Sequence, residues 1–198
     1  MKAVLISIQP KWCELIASGK KTIEVRKTRP KIETPFKCYI YCTIGNGVKG
    51  DYLVPSGIQC GKVIGEFVCN RIDEYFYDQA FDESMGCFID KYGYEITSYE
   101  LAQTCLSYEE FEKYGNTNAL YGWHISDLKI YDKPKELSEF RYHCKYEYDD
   151  DFKHCYGCDY HYFSDNPSSG REEYCCCDGL KRITRPPQSW FYCEDLGE

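Results

Sequence analysis

Apolar positions along this chain fall mostly into short alternating runs, with only brief stretches at helical spacing. The opening run Ala3-Val4-Leu5-Ile6-Ser7-Ile8 is almost continuously apolar and reads as a strand. Pro10 to Ser18 is different: Trp12, Leu15 and Ile16 give an i, i+3, i+4 stripe, Pro10 suits the first helical position, and Gly19 is a natural stop. Thr22 to Arg26 then alternates as a strand. Thr22, Glu24 and Arg26 share one face, and Ile23 and Val25 take the other. Thr28 to Pro35 reads as a polar loop, and Lys37 to Thr43 as a strand with Cys38, Ile40 and Cys42 on one side. Ile44 to Gly61 reads as a long loop. Lys62 to Ile72 reads as a strand in which Gly61 and Gly65 allow a bulge or tight bend.

The middle of the chain turns helical. Ser98 is placed to cap a helix over Tyr99 to Cys105, and Ser107-Tyr108-Glu109-Glu110 is a capping box for a second helix through Lys113. Leu120 to Ile130 returns to strand with Tyr121, Trp123 and Ile125 on one face, and Pro134 is expected to end the core. There is no internal repeat. Strands flanking a short helical insertion, with few βαβ units, predict an α+β fold built on a small closed or partly closed β-barrel.

The stretch Gly19-Lys20-Lys21-Thr22-Ile23-Glu24-Val25-Arg26 holds the densest chemistry: a lysine pair at the strand mouth, then a carboxylate and a guanidinium side by side. This G-x-K-T-x-E-x-R pattern follows a short helix and an N-terminal strand, and Tyr121 to Leu128 looks like a closing strand. Together they resemble the ASCH domain family, small barrels related to PUA and EVE domains, over roughly Met1 to Leu137. Arg185-Pro186-Pro187-Gln188-Ser189-Trp190 is similar to tails of ASCH proteins carried by phages and prophages. The resemblance implies binding of RNA or a modified nucleobase or nucleotide, with hydrolase activity in some members. In members that look like N4-acetylcytidine amidohydrolases, a catalytic Lys is followed three residues later by a Thr nucleophile. Lys21 matches the Lys, but Glu24 stands at the Thr position, and a carboxylate is not a hydroxyl.

Charge sharpens this picture. The chain carries a formal net charge of −8, which excludes a generic polyanion binder. Its distribution is uneven: Met1 to Lys37 holds nine Lys/Arg against three Asp/Glu, whereas Glu139 to Glu198 holds seven against thirteen. The basic ground lies beside the motif and favours a local anionic ligand near Lys20, Lys21, Arg26, Lys27 and Arg29. Twenty Tyr suit base stacking, and equally suit the filling of half-buried strands.

Seven of the fourteen Cys follow Arg141, and His143, His154 and His161 lie among them. Cys155-Tyr156-Gly157-Cys158 is a C-x-x-C whose Gly lets both thiolates turn toward one metal. Cys175 and Cys177 could complete a structural zinc site, with Cys144 as an alternative fourth ligand. Metal binding would fold a segment with little apolar content of its own. Free thiols in an acidic tail, or a redox C-x-x-C, are the competing readings. Cys13, Cys38, Cys42 and Cys69 alternate with apolar partners and read as small core residues.

Two domains are therefore expected: an ASCH-like barrel over 1–138 and a Cys-rich, acidic, zinc-knuckle-like lobe over 139–198, docked back on the core by Trp190, Phe191 and Tyr192. No apolar stretch approaches membrane-spanning length and no signal peptide is visible, so the chain is expected to be cytoplasmic with no membrane partner. The leading reading is a binding module that grips RNA or a modified nucleoside with Lys20, Lys21, Thr22, Glu24 and Arg26, with Trp123 as a stacking wall. The alternatives are a small hydrolase or ribonuclease using Lys21 and Glu24 as an acid/base pair, and a protein-interaction factor acting through the acidic lobe.

Overall fold

The computed structural model describes residues 2–44, 57–79, 86–116, 118–143, 148–149, 154–155, 161–166, 170–175 and 180–197, with backbone alone between 143 and 180. The order of elements is β1 (Lys2–Ile8), α1 (Pro10–Ala17), β2 (Ile23–Arg26), β3 (Phe36–Cys42), β4 (Val63–Asp78), β5 (Cys87–Asp90), α2 (Ser98–Thr104), α3 (Tyr108–Gly115) and β6 (Leu120–Lys135). A 3₁₀ turn at Leu137–Glu139 leads to β7 (Arg141–His143). Then follow β8 (Tyr148–Asp149), β9 (His154–Cys155), β10 (His161–Asn166), β11 (Gly170–Cys175), β12 (Leu180–Arg182) and β13 (Trp190–Glu194).

One mixed sheet dominates. Its strand order is β13-β1-β3-β4-β6-β2, with β5 paired to the far half of β4. β1 and β3 run parallel and the other pairs are antiparallel. Four strand spacings separate β1 from β2, about 19 Å if the sheet were flat. Yet Arg26 Nη2 on β2 donates to the Ser7 carbonyl on β1 at 2.6 Å. The sheet must therefore curl until its ends meet, which makes an α+β barrel. The curl is taken up where β4 and β6 slip register, at Val63/Gly65, Glu66/Val68 and Cys69/Ile72. Gly65 is needed at the first of these, since a Cβ there would stand 2.5 Å from the Lys129 carbonyl oxygen.

The apolar alternation explains the packing. Val4, Ile6, Ile8, Cys13, Ile16, Cys38, Ile40, Cys42, Phe67 and Trp123 form the barrel core under α1. The opposite sides of β1 and β3 form a second cluster in which Ala3, Leu5 and Tyr39 meet Phe140, Ile183 and Cys193. A third joins Val25, Tyr75 and Phe88 to Phe111 of α3. Cys13, Cys38, Cys42 and Cys69 are all fully buried free thiols.

Several elements differ from the pattern-based expectation. α2 is capped by Thr97, whose side chain forms a reciprocal box with Glu100, instead of by Ser98. β6 continues through Pro134, because Val63 pairs with Lys135 beyond it and the proline costs no bond that this end of the ladder requires. β4 runs on to Asp78 to pair with β5, a four-residue strand too short to register as a periodicity. β13 joins the main sheet, with Lys2 opposite Glu194 and Ile6 opposite Trp190. The chain on either side of residue 138 thus shares one sheet and one core cluster.

Candidate functional site

The Lys21 segment is shaped by the turn before it. Gly19 adopts φ +72, and the backbone N–H groups of Lys20 and Lys21 both reach the Leu15 carbonyl at the end of α1. This reversal turns Lys21 inward while leaving Lys20 exposed. Lys21 is only 3% exposed, Glu24 6% and Arg26 8%, an unusual burial for three charged side chains in a row.

They survive burial by pairing with one another. Glu24 is the shared anion: its Oε1 lies 3.0 Å from Arg26 Nη2, and its Oε2 lies 3.4 Å from Lys21 Nζ. Each cation has a second partner. Lys21 Nζ donates to the Thr104 carbonyl at the end of α2 at 2.6 Å, and Arg26 donates to Ser7. The Lys21 ammonium also lies 5.0 Å from the centre of the half-buried Trp12 ring. Both faces of β2 are buried, so this is an internal charge relay between α1, α2 and β1.

The network is incomplete. Glu24 Oε2, Arg26 Nε, Thr22 Oγ1 and Trp123 Nε1 are buried polar atoms with no hydrogen-bond partner. Glu24 and Trp123 are directly opposite in the β2–β6 ladder, and Arg26 is two residues along, so three of these atoms belong to one face of the sheet. Trp123 is itself fully buried between Phe36 and Trp190, each at 5.8 Å between ring centroids. Its ring therefore offers no open face for stacking, and what it presents to the site is its indole N–H. The aromatic ring beside Lys21 is instead Trp12, which the helical stripe had marked only as core.

At the Arg26 end of the triad lies an open hollow of about 910 Å³, walled by the loop from Lys27 to Thr34 with Ile72 and Tyr121. Tyr121 faces Arg26 across the ladder, so the hollow continues the face that carries the triad. Lys27, Arg29 and Lys31 line it, with Arg29 held 3.0 Å from Glu74.

A second polar group lies on β4 and β6. Asp73 Oδ2 is 2.6 Å from His124 Nε2 and 3.0 Å from Arg71 Nη2. Burial pushes the Asp73 carboxyl up, but the His124 hydrogen bond and the charges of His124 and Arg71 outweigh it and hold it below its usual value. Glu66, also on β4, accepts from Tyr131 OH. The carbonyl partners Ser7 and Thr104, and the grouping of His124 with Asp73 and Arg71, are the features that sequence reasoning missed. The contacts to Ser7, Thr104 and His124 span 19 to 83 residues and leave no local motif, although Arg71 and Asp73 are only two apart.

The metal candidates Cys144, Cys158 and Cys177 lie outside the described residues, and Cys155 and Cys175 are described by backbone only. Among the described residues no three His, Cys, Asp or Glu side chains gather as a metal site. No helix among them is long and apolar enough to cross a membrane.

The chain thus curls one mixed sheet around an internal Lys–Glu–Arg relay. The family model of the ASCH domain matches residues 6–156, and the chain belongs to that family. Solved structures of an ASCH protein from Zymomonas mobilis are similar in fold. The unaltered protein is 23% identical, with 68% of this chain and 73% of that chain covered and a TM-score of 0.44. A point variant of it is 20% identical over 68% and 74%, with a TM-score of 0.45. No curated protein matches the sequence.

Proposed function

We propose that this ASCH protein binds RNA or a modified nucleobase or nucleotide, reading the base with the buried Lys21–Glu24–Arg26 site. The observation that carries this reading is a set of polar atoms on one barrel face that make no hydrogen bond among the described residues: an acceptor at Glu24 Oε2, which has only the 3.4 Å ion pair with Lys21, and donors at Arg26 Nε and Trp123 Nε1. Buried polar atoms are nearly always satisfied, so a mixed donor and acceptor set left open invites a ligand edge with the complementary pattern. A nucleobase has such an edge, and an aliphatic or purely anionic ligand does not. Thr22 Oγ1 adds a hydroxyl beside Lys21. The exposed Lys20 and the basic hollow lined by Lys27, Arg29 and Lys31 supply the phosphate contacts that the base site lacks.

Equilibrium titration of nucleosides, modified nucleosides and short single-stranded RNA at about 50 mM salt, where the phosphate contribution is strong, tests the reading. Binding that is lost in Lys21→Ala and Glu24→Gln supports it. Absence of binding by the unaltered protein refutes it.

A hydrolase is the second reading. Glu24 Oε2 lacks a hydrogen bond yet stands 3.4 Å from the Lys21 ammonium, as a carboxylate base and an acid would. Mass spectrometry of acylated nucleosides and RNA incubated with the protein separates the two, since an enzyme loses turnover but keeps affinity in Glu24→Gln.

We further propose structural zinc between Cys155, Cys158, Cys175 and Cys177, with Cys144 as an alternative ligand. The C-x-x-C spacing supports it, as does the contact of β9, which ends at Cys155, with β11, which ends at Cys175.

A further inference from the structure

A second hollow, of about 590 Å³, lies on the other side of the C-terminal edge strand and shares no lining residue with the first. Its walls combine Lys2, Arg182 and Arg185 and one carboxylate, Glu194, with Tyr142, Phe191 and Tyr192. In a chain of net charge −8 this is a concentrated cationic spot.

Lys2 faces Glu194 across the β1–β13 ladder, whereas the arginines have no carboxylate partner among the described residues. Arg182 stands directly opposite Arg141 in the β7–β12 ladder, a like-charge pair that a sheet normally avoids. Neither of them, nor Arg185, forms an ion pair with a described residue, and all three are exposed. A doubly accepting anion between the two guanidinium groups relieves the repulsion and uses their forked donors. The rings beside them define what else the ligand carries. Tyr142 is 36% exposed and meets Phe191 edge-to-face at 6.0 Å, which leaves a flat apolar wall beside the cations. Phosphate donors next to an aromatic wall match a nucleotide unit: phosphate on arginine, base on tyrosine.

The two hollows meet at one residue. Tyr192 lines the C-terminal hollow, and its hydroxyl accepts from the Lys31 backbone N–H at 2.6 Å in the loop that walls the first. Lys31 of the first hollow's loop and Tyr192 of the second are thus in direct contact, which sets the two hollows side by side.

We propose that the C-terminal hollow is a second nucleotide subsite, which takes a phosphate and base of single-stranded RNA continuous with the segment held at the Lys21 site. The inference rests on the RNA-binding reading. It assigns the Arg141/Arg182/Arg185 cluster to the strand beyond the recognised base, so mononucleosides use only the Lys21 site and oligonucleotides use both.

The test is a salt-dependent titration of the full chain with a free nucleoside 5′-monophosphate, its parent nucleoside and an RNA octamer. The proteins compared are the unaltered chain, Arg182→Ala/Arg185→Ala and Lys21→Ala. Loss of two single-strand phosphate contacts is expected to lower the slope of log K against log salt by about 1.4 for the octamer, with nucleoside affinity unchanged. Both arginines are exposed, and circular dichroism verifies that the double variant is folded. If that variant binds the octamer with unaltered affinity and slope while Lys21→Ala weakens it, the subsite is overturned and the Lys21 reading stands. If the monophosphate alone loses affinity in the double variant, the hollow is a free-nucleotide site and strand continuity is overturned. If the octamer fails to bind the unaltered protein, both readings fall. Capture of a polyglutamate probe in place of the octamer overturns the subsite in favour of an acidic protein partner.

Discussion

Replacing Glu24 by Ala removes the anion that two buried cations share. Lys21 and Arg26 are 3% and 8% exposed, and neither has another carboxylate in contact among the described residues. Their remaining partners, the Thr104 and Ser7 carbonyls, are dipoles that cannot neutralise a charge. Breaking a buried pair while leaving the charge behind costs about 3–5 kcal/mol. For a chain of this size each kcal/mol moves the melting temperature by about 2–4 °C, so Glu24→Ala is expected to melt about 6–20 °C lower. Glu24→Gln keeps the acceptor toward Arg26 and should lose less. Lys21→Met should lose least, since it deletes a desolvated charge and leaves the 3.0 Å Glu24–Arg26 pair intact. Thermal melts followed by circular dichroism, with urea unfolding of the same three variants, give the ranking. A Glu24→Ala protein within about 1 kcal/mol of the unaltered one, or a Lys21→Met variant less stable than Glu24→Ala, refutes the shared-anion account.

Other regions give independent expectations. Gly65→Ala drives a Cβ to 2.5 Å from the Lys129 carbonyl oxygen, which is backbone and cannot step aside; urea midpoints should fall by the equivalent of about 1–3 kcal/mol. Asp195 accepts from Tyr39 OH at 2.5 Å and pairs with Lys37 at 3.0 Å. Burial pushes its carboxyl up, but these hydrogen bonds prevail and hold it below its usual value. A depressed carboxyl contributes stability above the ordinary carboxylate value, and loses it as pH falls through the lower folded value. Asp195→Asn should therefore destabilise at pH 7, and the difference from the unaltered protein should close as acid takes the pH through the lowered folded value. Metal analysis of protein purified without chelator should find one zinc per chain if the tail cysteines hold it, and none in Cys155→Ser/Cys158→Ser.

The parts of this fold legible in the sequence are those set by local chemistry. Pro10, the Trp12/Leu15/Ile16 stripe and Gly19 mark α1 and its stop, and observed α1 spans Pro10–Ala17. The Ser107–Glu110 box is formed as its spacing implies. Alternation marked β2 but could not show that both its faces are buried, because that depends on a sheet curling until Arg26 reaches Ser7. The same limit applies to Trp123. Its strand position was readable, while its enclosure by Phe36 and Trp190 follows from β3 and β13 arriving from opposite ends of the chain. β5 is too short to show a period, and Pro134 weighed against a strand that the pairing of Val63 with Lys135 sustains.

The central claim is that the open polar atoms of the triad face take up a base. Its most direct measurement is the indole region of a ¹⁵N–¹H correlation spectrum during titration with single-stranded RNA or a modified nucleoside. The chain has three Trp, so each indole N–H is assignable by single substitution. Trp190 Nε1 already donates to Thr28 Oγ1 at 3.0 Å, whereas Trp123 Nε1 has no partner. The account predicts that ligand shifts the Trp123 indole signal well beyond that of Trp190, and that Glu24→Gln abolishes the shift. Saturable binding with the Trp123 signal unmoved would contradict it.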